Sequence, residues 1–236
     1  EAAPADSVAA IIFEPIQGEG GFVPAPIEWV KAVRQICDKH GILMVTDEVQ
    51  TGWSRSGSLF VSDYYKEAGC TPDIMTTAKS IAGGLPLSAV VAKKEIMDAV
   101  PAGTIGGTYC GNPLACASAL KVMEVMEKED YPGKAKKIGA IAMDKFNEWK
   151  EKYEVIGDVR GIGSMIGVEF VKDKATKEAN AEIVGKIVNY AVKKGLMLEA
   201  AGTYGNVIRF LCPLCVTDEQ LKKGLEIYEE AIVSCM

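Results

Sequence analysis

Short apolar runs alternate with segments of helical periodicity along the first half of the chain. Residues 8–13 form an apolar run of strand length, and residues 42–45 form a second that is typical of a strand buried on both faces. Between them, apolar residues recur at helical spacing from Ile27 to Cys37, with Pro26 suited to the first turn and Gly41 to the C-terminal stop. The first fifty residues therefore predict a strand–helix–strand unit, the building block of a parallel sheet.

The pattern changes in the second half. Up to residue 128, predicted strands at 73–77 and 88–92 alternate with predicted helices at 59–68, 93–100 and 112–128. We expect Pro132 and Gly133 to break the last of these helices before another helix at 134–152. Strands then follow at 155–160, 165–170, 197–199 and 207–211, with helices at 179–194 and 218–234; Thr217 and Gln220 match a capping box. The sequence thus predicts an α/β region over 1–125 and a smaller α+β domain over 126–236.

Composition and charge narrow the classes of partner. The chain has 236 residues, a formal net charge of −6 and no run of Lys or Arg, which disfavours nucleic acid. No apolar stretch approaches the roughly 18 residues of a membrane span, so we expect no membrane partner. Seven cysteines, an odd number, favour free thiols in a reducing compartment, and we expect a cytoplasmic protein. Cys212 and Cys215 spell C-x-x-C without a second ligand pair, so no metal site is expected.

Three unusual segments fall where predicted strands end, which is where parallel sheets build their sites. The first contains two adjacent acids, Asp47 and Glu48, directly after an apolar strand. The second contains Lys79 among small residues, where desolvation would favour the neutral amine, a nucleophile toward an aldehyde. The third, residues 106–112, has glycines, a hydroxyl and free backbone N–H groups before a helix, and these suit a phosphate.

Each segment also has an ordinary interpretation. Asp47 alone would serve as a helix cap or turn acid, Lys79 alone as a surface lysine, and glycine loops commonly precede helices. Together the three segments favour a cofactor that has a basic ring nitrogen, an aldehyde and a phosphate. Pyridoxal 5'-phosphate has those three groups.

Four segments resemble the class III aminotransferases, in order along the chain. They are residues 12–21 (IFEPIQGEGG), 45–52 (VTDEVQTG), 78–86 (AKSIAGGLP) and 107–115 (GTYCGNPLA). Residues 204–211 (YGNVIRFL) are most similar to 4-aminobutyrate aminotransferases. The resemblance implies part of the large cofactor-binding domain of fold type I aminotransferases over 1–125, with a mostly parallel sheet and helices. It also implies the small C-terminal domain of such enzymes over 126–236.

The resemblance assigns the cofactor's ligands residue by residue. Lys79 matches the catalytic lysine that holds the cofactor as a Schiff base and moves a proton during transamination. Asp47 matches the catalytic carboxylate that keeps the pyridine nitrogen protonated. Val49 matches an apolar residue on one face of the ring, and Gln50 matches a donor to the phenolic oxygen. Thr108 matches a phosphate ligand given to the partner subunit's site, which implies a homodimer with shared active sites.

Glu19 and Arg209 match a pair that chooses between substrates. With an ω-amino acid, Glu19 would neutralise Arg209; with glutamate or 2-oxoglutarate, Arg209 would be free to bind the α-carboxylate in a bidentate fashion. The resemblance therefore implies transfer of an amino group from an ω-amino acid, with 4-aminobutyrate favoured, to 2-oxoglutarate, giving the semialdehyde and glutamate. The alternatives are an acetylornithine- or ornithine-type transaminase and an inactive fragment. Taken alone, Arg209 would be a surface arginine and Glu19 a solvated loop acid.

Members of the family that this chain resembles also have a long N-terminal half. That half supplies another phosphate-binding segment, an aromatic ring that stacks on the cofactor and an arginine for the distal carboxylate, and none of these is recognisable here. We therefore expect the chain to need the N-terminal half of the same enzyme as a partner. Alone, it would expose a sheet edge and apolar surface.

Titration of the purified 236-residue chain with pyridoxal phosphate tests this expectation. Because several ligands of the cofactor are missing, we expect neither a stable Schiff-base absorbance band nor turnover of an amino donor. The full-length protein is the positive control. A stable band together with turnover by the chain alone would show that the expectation is wrong.

Overall fold

The computed structural model describes residues 4–236, so residues 1–3 of the predicted first region lie outside the described part. The strands are β1 (Ala10–Phe13), β2 (Ile16–Gln17), β3 (Val23–Pro24), β4 (Leu43–Asp47), β5 (Ile74–Thr77), β6 (Ala89–Ala92), β7 (Ile156–Ile162), β8 (Met165–Phe170), β9 (Glu199–Ala201) and β10 (Val207–Phe210). The α-helices are α1 (Ile27–His40), α2 (Ser62–Glu67), α3 (Lys94–Asp98), α4 (Pro113–Lys128), α5 (Tyr131–Lys152), α6 (Ala181–Lys193) and α7 (Asp218–Cys235).

Backbone contacts divide the chain into two units. The first comprises Glu1–Pro15, Ala25–Ser54 and Ser58–Asp130, and the second comprises Ile16–Pro24, Arg55–Gly57 and Tyr131–Met236. The second unit thus includes two short segments from early in the sequence. The boundary between domains at 125/126 stays a prediction, because two sets of contacts do not show that either part folds independently.

The first unit is built on a sheet with the strand order β1-β4-β5-β6. Strands β1, β4 and β5 are parallel, and β6 runs antiparallel to β5. Helix α1 connects β1 to β4 and ends at Gly41, whose φ of 68° lies in the left-handed region that glycine favours. The predicted strand–helix–strand unit is therefore confirmed. Ile12 of β1 and Val90 and Val91 of β6 are exposed, as expected for apolar strand edges left uncovered by the described chain.

A buried carboxylate, Asp73, joins the elements of this sheet. Its side chain accepts hydrogen bonds from Arg34 Nη1 of α1 at 2.8 Å, from Met44 N of β4 at 2.8 Å and from Lys93 Nζ at 2.6 Å. Burial by itself would raise the pKa of Asp73, but the bonds to Lys93, Met44 and Arg34 outweigh it and hold the pKa below its ordinary value. Asp73 therefore fixes the starts of β4 and β5 against each other.

The second unit has an antiparallel sheet in the order β7-β8-β10-β9 and a short hairpin of β2 and β3. Helices α5, α6 and α7 supply side chains to its core. Phe146 is the centre of an aromatic cluster; its ring lies 5.1, 5.4 and 5.7 Å from those of Trp149, Phe210 and Tyr228. Thr217 and Gln220 form the predicted capping box of α7.

Some predicted elements differ from the structure. Helix α2 is shorter than the predicted helix at 59–68, and β9 overlaps the predicted strand at 197–199 only at Glu199. Pro132 and Gly133 do not break a helix, because they lie in the first turn of α5, where the missing N–H of proline leaves no intrahelical bond unmade. The break falls at Asp130, whose φ is 47°. Within the described residues, no helix combines the length and apolar character needed to cross a membrane.

Asp73→Asn should lower the free energy of unfolding by about 3 kcal/mol at neutral pH, because it removes the buried carboxylate that pairs with the largely buried Arg34 guanidinium and with Lys93. The pKa of Asp73 is lowered by folding, so its stabilisation is fully present above the unfolded pKa of about 4 and is lost as the pH falls through the folded pKa. Urea unfolding at about pH 7 and about pH 3 measures this difference. Asp98→Asn, at an exposed helical pair with Lys94, is the control and should change little. If the free energies of unfolding of the unsubstituted protein and Asp73→Asn differ as much at about pH 3 as at about pH 7, the stabilising role of the Asp73 charge is contradicted.

Candidate active site

Asp47 and Lys79 come to the same edge of the sheet in the first unit. Asp47 is the last residue of β4 and pairs with Thr76 of the neighbouring parallel strand β5. Lys79 follows the end of β5 by two residues and opens a 3₁₀ turn, Lys79–Ala82. Because the carboxyl ends of parallel strands meet at one edge, the two side chains that the sequence singles out lie at neighbouring strand ends.

The two adjacent acids at the end of β4 have different surroundings. Asp47 is partly buried, and its Oδ1 accepts a hydrogen bond of 3.0 Å from Val49 N, which fixes the carboxylate at the strand end. Glu48 is fully buried and accepts bonds from Thr51 Oγ1 at 2.5 Å, Val61 N at 3.0 Å and Ser62 N at 2.6 Å. Glu48 is therefore a structural residue that holds the segment between β4 and α2, and Asp47 remains the acid available to a ligand.

Lys79 has an unusual backbone conformation. Its φ of 50° lies in the left-handed region that costs a non-glycine residue energy, and such residues concentrate at functional sites. The turn ends at Gly83, and Ser118 of α4 donates a hydrogen bond of 2.9 Å to Ala82 O. The sequence predicts a desolvated lysine, but Lys79 is exposed in the described chain. That expectation is wrong for this chain because the residues packed around the turn leave the side chain open.

Trp53 is a residue that the sequence analysis missed. It is buried, and its indole Nε1 donates a hydrogen bond of 2.7 Å to Thr77 Oγ1 at the end of β5. This bond ties the loop that follows Gln50 to the strand that leads to Lys79. No periodicity in the sequence reveals the contact, since the two residues are brought together only by the pairing of β4 with β5.

Gln50 and Val49 complete the segment beside Asp47. Both are partly buried, and Gln50 Oε1 is shielded from solvent with no hydrogen-bond partner among residues 4–236. A buried amide oxygen without a partner is costly unless a ligand or another group satisfies its side chain. The ends of β4 and β5 therefore present a carboxylate, an amine and an amide whose oxygen is unpaired within the described chain. This set of groups fits a polar ring ligand.

Thr108 lies apart from secondary structure, in a turn before α4. The turn is exposed throughout, with Ile105 and Tyr109 among its most exposed apolar side chains. Asn112 is the N-cap of α4, and its side chain accepts a hydrogen bond of 2.9 Å from Leu114 N. The hydroxyl of Thr108 thus remains open for a contact outside the described chain.

Glu19 and Arg209, both in the second unit, form an ion pair. Glu19 Oε1 lies 2.6 Å from Arg209 Nη1. The loop that carries Glu19 connects β2 and β3 and is fixed by backbone contacts: Gly202 N donates to Glu19 O at 2.9 Å. Arg160 Nη2 donates to Gly21 O at 2.8 Å. Gly21 has a φ of 105°, and a Cβ there would lie 3.2 Å from Gly202 Cα, so this position requires glycine.

A third charged residue joins this pair. Arg209 Nη2 lies 2.7 Å from Glu199 Oε2, so each terminal nitrogen of the guanidinium contacts a different carboxylate. The sequence analysis did not single out Glu199. The only sign of it in the sequence is its position in a predicted strand, and its proximity to Arg209 depends on a strand register that the sequence does not reveal.

The C-x-x-C segment carries no sign of a reactive thiol pair. The seven cysteines are free, and Cys212 is partly buried while Cys215 is exposed. Burial raises the pKa of the Cys212 thiol, which disfavours the thiolate that redox chemistry or metal binding needs. Arg55 contacts the backbone of this segment instead, with Nη1 2.5 Å from Cys212 O.

The comparisons with known proteins agree with the geometry. The family model described as aminotransferase class-III matches residues 1–232. The 5-aminovalerate aminotransferase DavT of Pseudomonas putida is 52% identical over 230 residues, which are 98% of this chain and 53% of that protein. The 4-aminobutyrate aminotransferase GabT of Escherichia coli is 45% identical over 230 residues, again 98% and 53%. The structure of a pyridoxal-phosphate-bound amine transaminase from an uncultivated Pseudomonas species matches with a TM-score of 0.90 at 36% identity, covering 98% of this chain and 53% of that one.

This chain belongs to the class-III aminotransferase family. It spans about half the length of the curated relatives it matches. The predicted family and the predicted α/β fold, with a mostly parallel sheet in the first unit, are confirmed. The roles of the individual site residues stay predictions.

Glu48→Gln should destabilise the protein by about 1–3 kcal/mol, because an amide has one acceptor oxygen and its NH₂ group would face a buried N–H donor. Glu67→Gln, an exposed change in α2, is the matched control and should have little effect. The midpoint of urea unfolding measures both. Equal stability of the two variants would contradict the structural role of Glu48.

Proposed function

We propose that the protein containing this chain transfers an amino group from an ω-amino acid to 2-oxoglutarate, with pyridoxal phosphate as cofactor. The donor is 4-aminobutyrate or a close homologue such as 5-aminovalerate, in keeping with the names of the two relatives. The observation that carries the proposal is the placement of Asp47 and Lys79 at neighbouring strand ends in a class-III aminotransferase chain.

The residues at the ends of β4 and β5 suit this cofactor. Asp47 would hold the ring nitrogen in its protonated form, and the Gln50 amide would contact the phenolic oxygen. Val49 would pack on the face of the ring. When bound, pyridoxal phosphate supplies an electron sink for the substrate carbon that bears the amino group. Support comes from the Asp47 carboxylate, which is held in place at the end of β4 by a hydrogen bond from Val49 N.

Lys79 has two tasks in this proposal. Its amine would hold the aldehyde carbon of the cofactor between turnovers and would be released when the amino group of the substrate takes its place. The freed Lys79 Nζ would then take the proton from the substrate carbon that bears the amine. An exposed amine at the mouth of the sheet suits both tasks, provided that the substrate or another part of the protein shields it from water. At Lys79 the backbone, with its positive φ, leaves the extended conformation of β5 and enters the 3₁₀ turn.

Glu19 and Arg209 would discriminate between the two half-reactions. While they are paired, Arg209 is neutralised, which suits an ω-amino acid with no carboxylate next to its reacting amine. When 2-oxoglutarate binds, displacement of Glu19 would allow Arg209 to hold the α-carboxylate. The Arg209 side chain is only 11% exposed, whereas Glu19 is 78% exposed, so Glu19 is the partner that can leave at lower cost.

We also propose that the functional assembly is a homodimer that includes the N-terminal half of the enzyme. The exposed turn that carries Thr108 suits a phosphate contact in the partner subunit's site. The exposed apolar residues Ile105, Tyr109, Val90 and Val91 suit burial against other parts of such an assembly. A cytoplasmic location, which the cysteine content favours, belongs to the same proposal.

Borohydride reduction of the intact protein loaded with pyridoxal phosphate tests the assignment of Lys79. We expect a pyridoxyl adduct on the peptide that contains Lys79, because borohydride reduces the bond between this amine and the cofactor. Lys79→Ala should lose the adduct and turnover, whereas Lys94→Ala, at an exposed lysine in α3, should keep both. An adduct on another lysine of the unsubstituted protein would overturn the assignment.

Rates with different amino donors test the substrate class in the same preparations. The proposal requires turnover of 4-aminobutyrate or 5-aminovalerate with 2-oxoglutarate. If 4-aminobutyrate and 5-aminovalerate are both inert while ornithine or acetylornithine reacts, the proposed donor class is wrong and the ornithine-type alternative takes its place.

A further inference from the structure

Glu199 contacts Arg209 because of strand register. In the antiparallel pairing of β9 with β10, Glu199 lies directly opposite Arg209. Side chains that are directly opposite across an antiparallel pair share one face and lie close together. The 2.7 Å contact between Glu199 Oε2 and Arg209 Nη2 is therefore a consequence of the backbone pairing.

The two carboxylates on Arg209 differ in how they are held. Glu19 lies in the loop between β2 and β3, so its carboxylate can leave Arg209 while the sheet stays intact. Glu199 belongs to a strand that is hydrogen-bonded to the strand of Arg209, so its Cα stays opposite Arg209 whichever ligand is present. Displacement of Glu19 therefore leaves one carboxylate within reach of the guanidinium.

We propose that Glu199 is a specificity-determining residue that weakens binding of the α-carboxylate of 2-oxoglutarate and glutamate. The inference rests on the proposed function and adds a second carboxylate to the choice between substrates. With Glu19 displaced, Arg209 and Glu199 have a combined formal charge of zero, whereas Arg209 alone would have a charge of +1. The α-carboxylate of the substrate is therefore attracted less strongly to Arg209 than it would be without Glu199.

Hydrogen-bond geometry acts in the same direction. A guanidinium binds a carboxylate in a bidentate fashion either through both terminal nitrogens or through Nε and one terminal nitrogen. Arg209 Nη1 is the nitrogen that Glu19 would release, while Nη2 remains in contact with Glu199. Glu199 therefore competes with the substrate for the nitrogen that completes an end-on bidentate contact.

The effect should be modest, because Glu199 is 62% exposed and solvent screens its charge. Exposed ion pairs are typically coupled by no more than about 1 kcal/mol, which corresponds to about fivefold in affinity. The residue would tune the balance between the two half-reactions and would not block either of them.

Glu199→Gln in the intact protein tests the proposal. The amide oxygen can still accept a hydrogen bond from Arg209, so the change removes the charge and keeps the shape. We expect the KM for 2-oxoglutarate to fall by about threefold to fivefold, with kcat and the KM for the ω-amino donor changing by less than about twofold. The fall should shrink in about 0.5 M salt, because the removed interaction is a screened charge.

Glu178→Gln is the matched control. Glu178 is also 62% exposed and is paired with Lys172 at 2.6 Å, but it makes no described contact with Arg209. This variant should change neither KM. Thermal unfolding of both variants checks that the fold is retained.

Each other outcome has a definite meaning. An unchanged or higher KM for 2-oxoglutarate in Glu199→Gln overturns the inference and leaves the proposed function standing, since it would mean that Glu199 only positions Arg209. Equal changes in the two KM values overturn it as well, because the effect would not be specific to the α-carboxylate. Absence of turnover by the unsubstituted protein with any ω-amino donor overturns the proposed function and, with it, this inference.

Discussion

The parallel pairing of β4 with β5 is the constraint on which the candidate cofactor site depends. It sets Asp47 beside Thr76 and brings the segment of Lys79 to the same edge of the sheet. At the other edge of the sheet, the hydrogen bond from Met44 N to the Asp73 carboxylate joins the starts of the two strands. The bond from Trp53 to Thr77 joins the loop after β4 to the end of β5. Groups 32 residues apart in sequence are thus located by backbone hydrogen bonds and two side-chain anchors.

At the end of β4, two adjacent acids differ in burial: Glu48 is structural, and Asp47 is the acid proposed to contact the cofactor. Successive residues of a strand point to opposite faces, so Glu48 enters the interior while Asp47 stays at the rim. The buried carboxylate accepts hydrogen bonds from the Thr51 hydroxyl and from the backbone of Val61 and Ser62, and so joins the segment after β4 to the start of α2. A site whose acid must keep one orientation benefits from such a neighbour, because a misplacement of about 1 Å is costly in catalysis.

Most of the sheet and the positions of the chemical residues could be predicted from the sequence, because both depend on local patterns. Apolar runs mark β1 and β4, and Gly41 marks the end of α1. Register and burial could not be predicted in this way, since they depend on atoms distant in sequence. Glu199 was missed because the alignment of β9 with β10 has no local signature, and the burial expected for Lys79 was wrong because small neighbouring residues do not by themselves exclude water.

The route of the chain between the two units has a consequence for how it can be divided. The β2–β3 hairpin and residues 55–57 belong to the second unit, although more than seventy residues separate them from the rest of it. A cut at residue 130 would therefore not release two independent modules: the first piece would keep a hairpin whose packing partners, such as Arg160, were on the other piece. Inheritance of the second unit by exchange or duplication of a single continuous stretch would likewise lose Glu19. The carboxylate partners of Arg209 thus come from both sides of that cut, so a single cut there would separate Glu19 from Arg209.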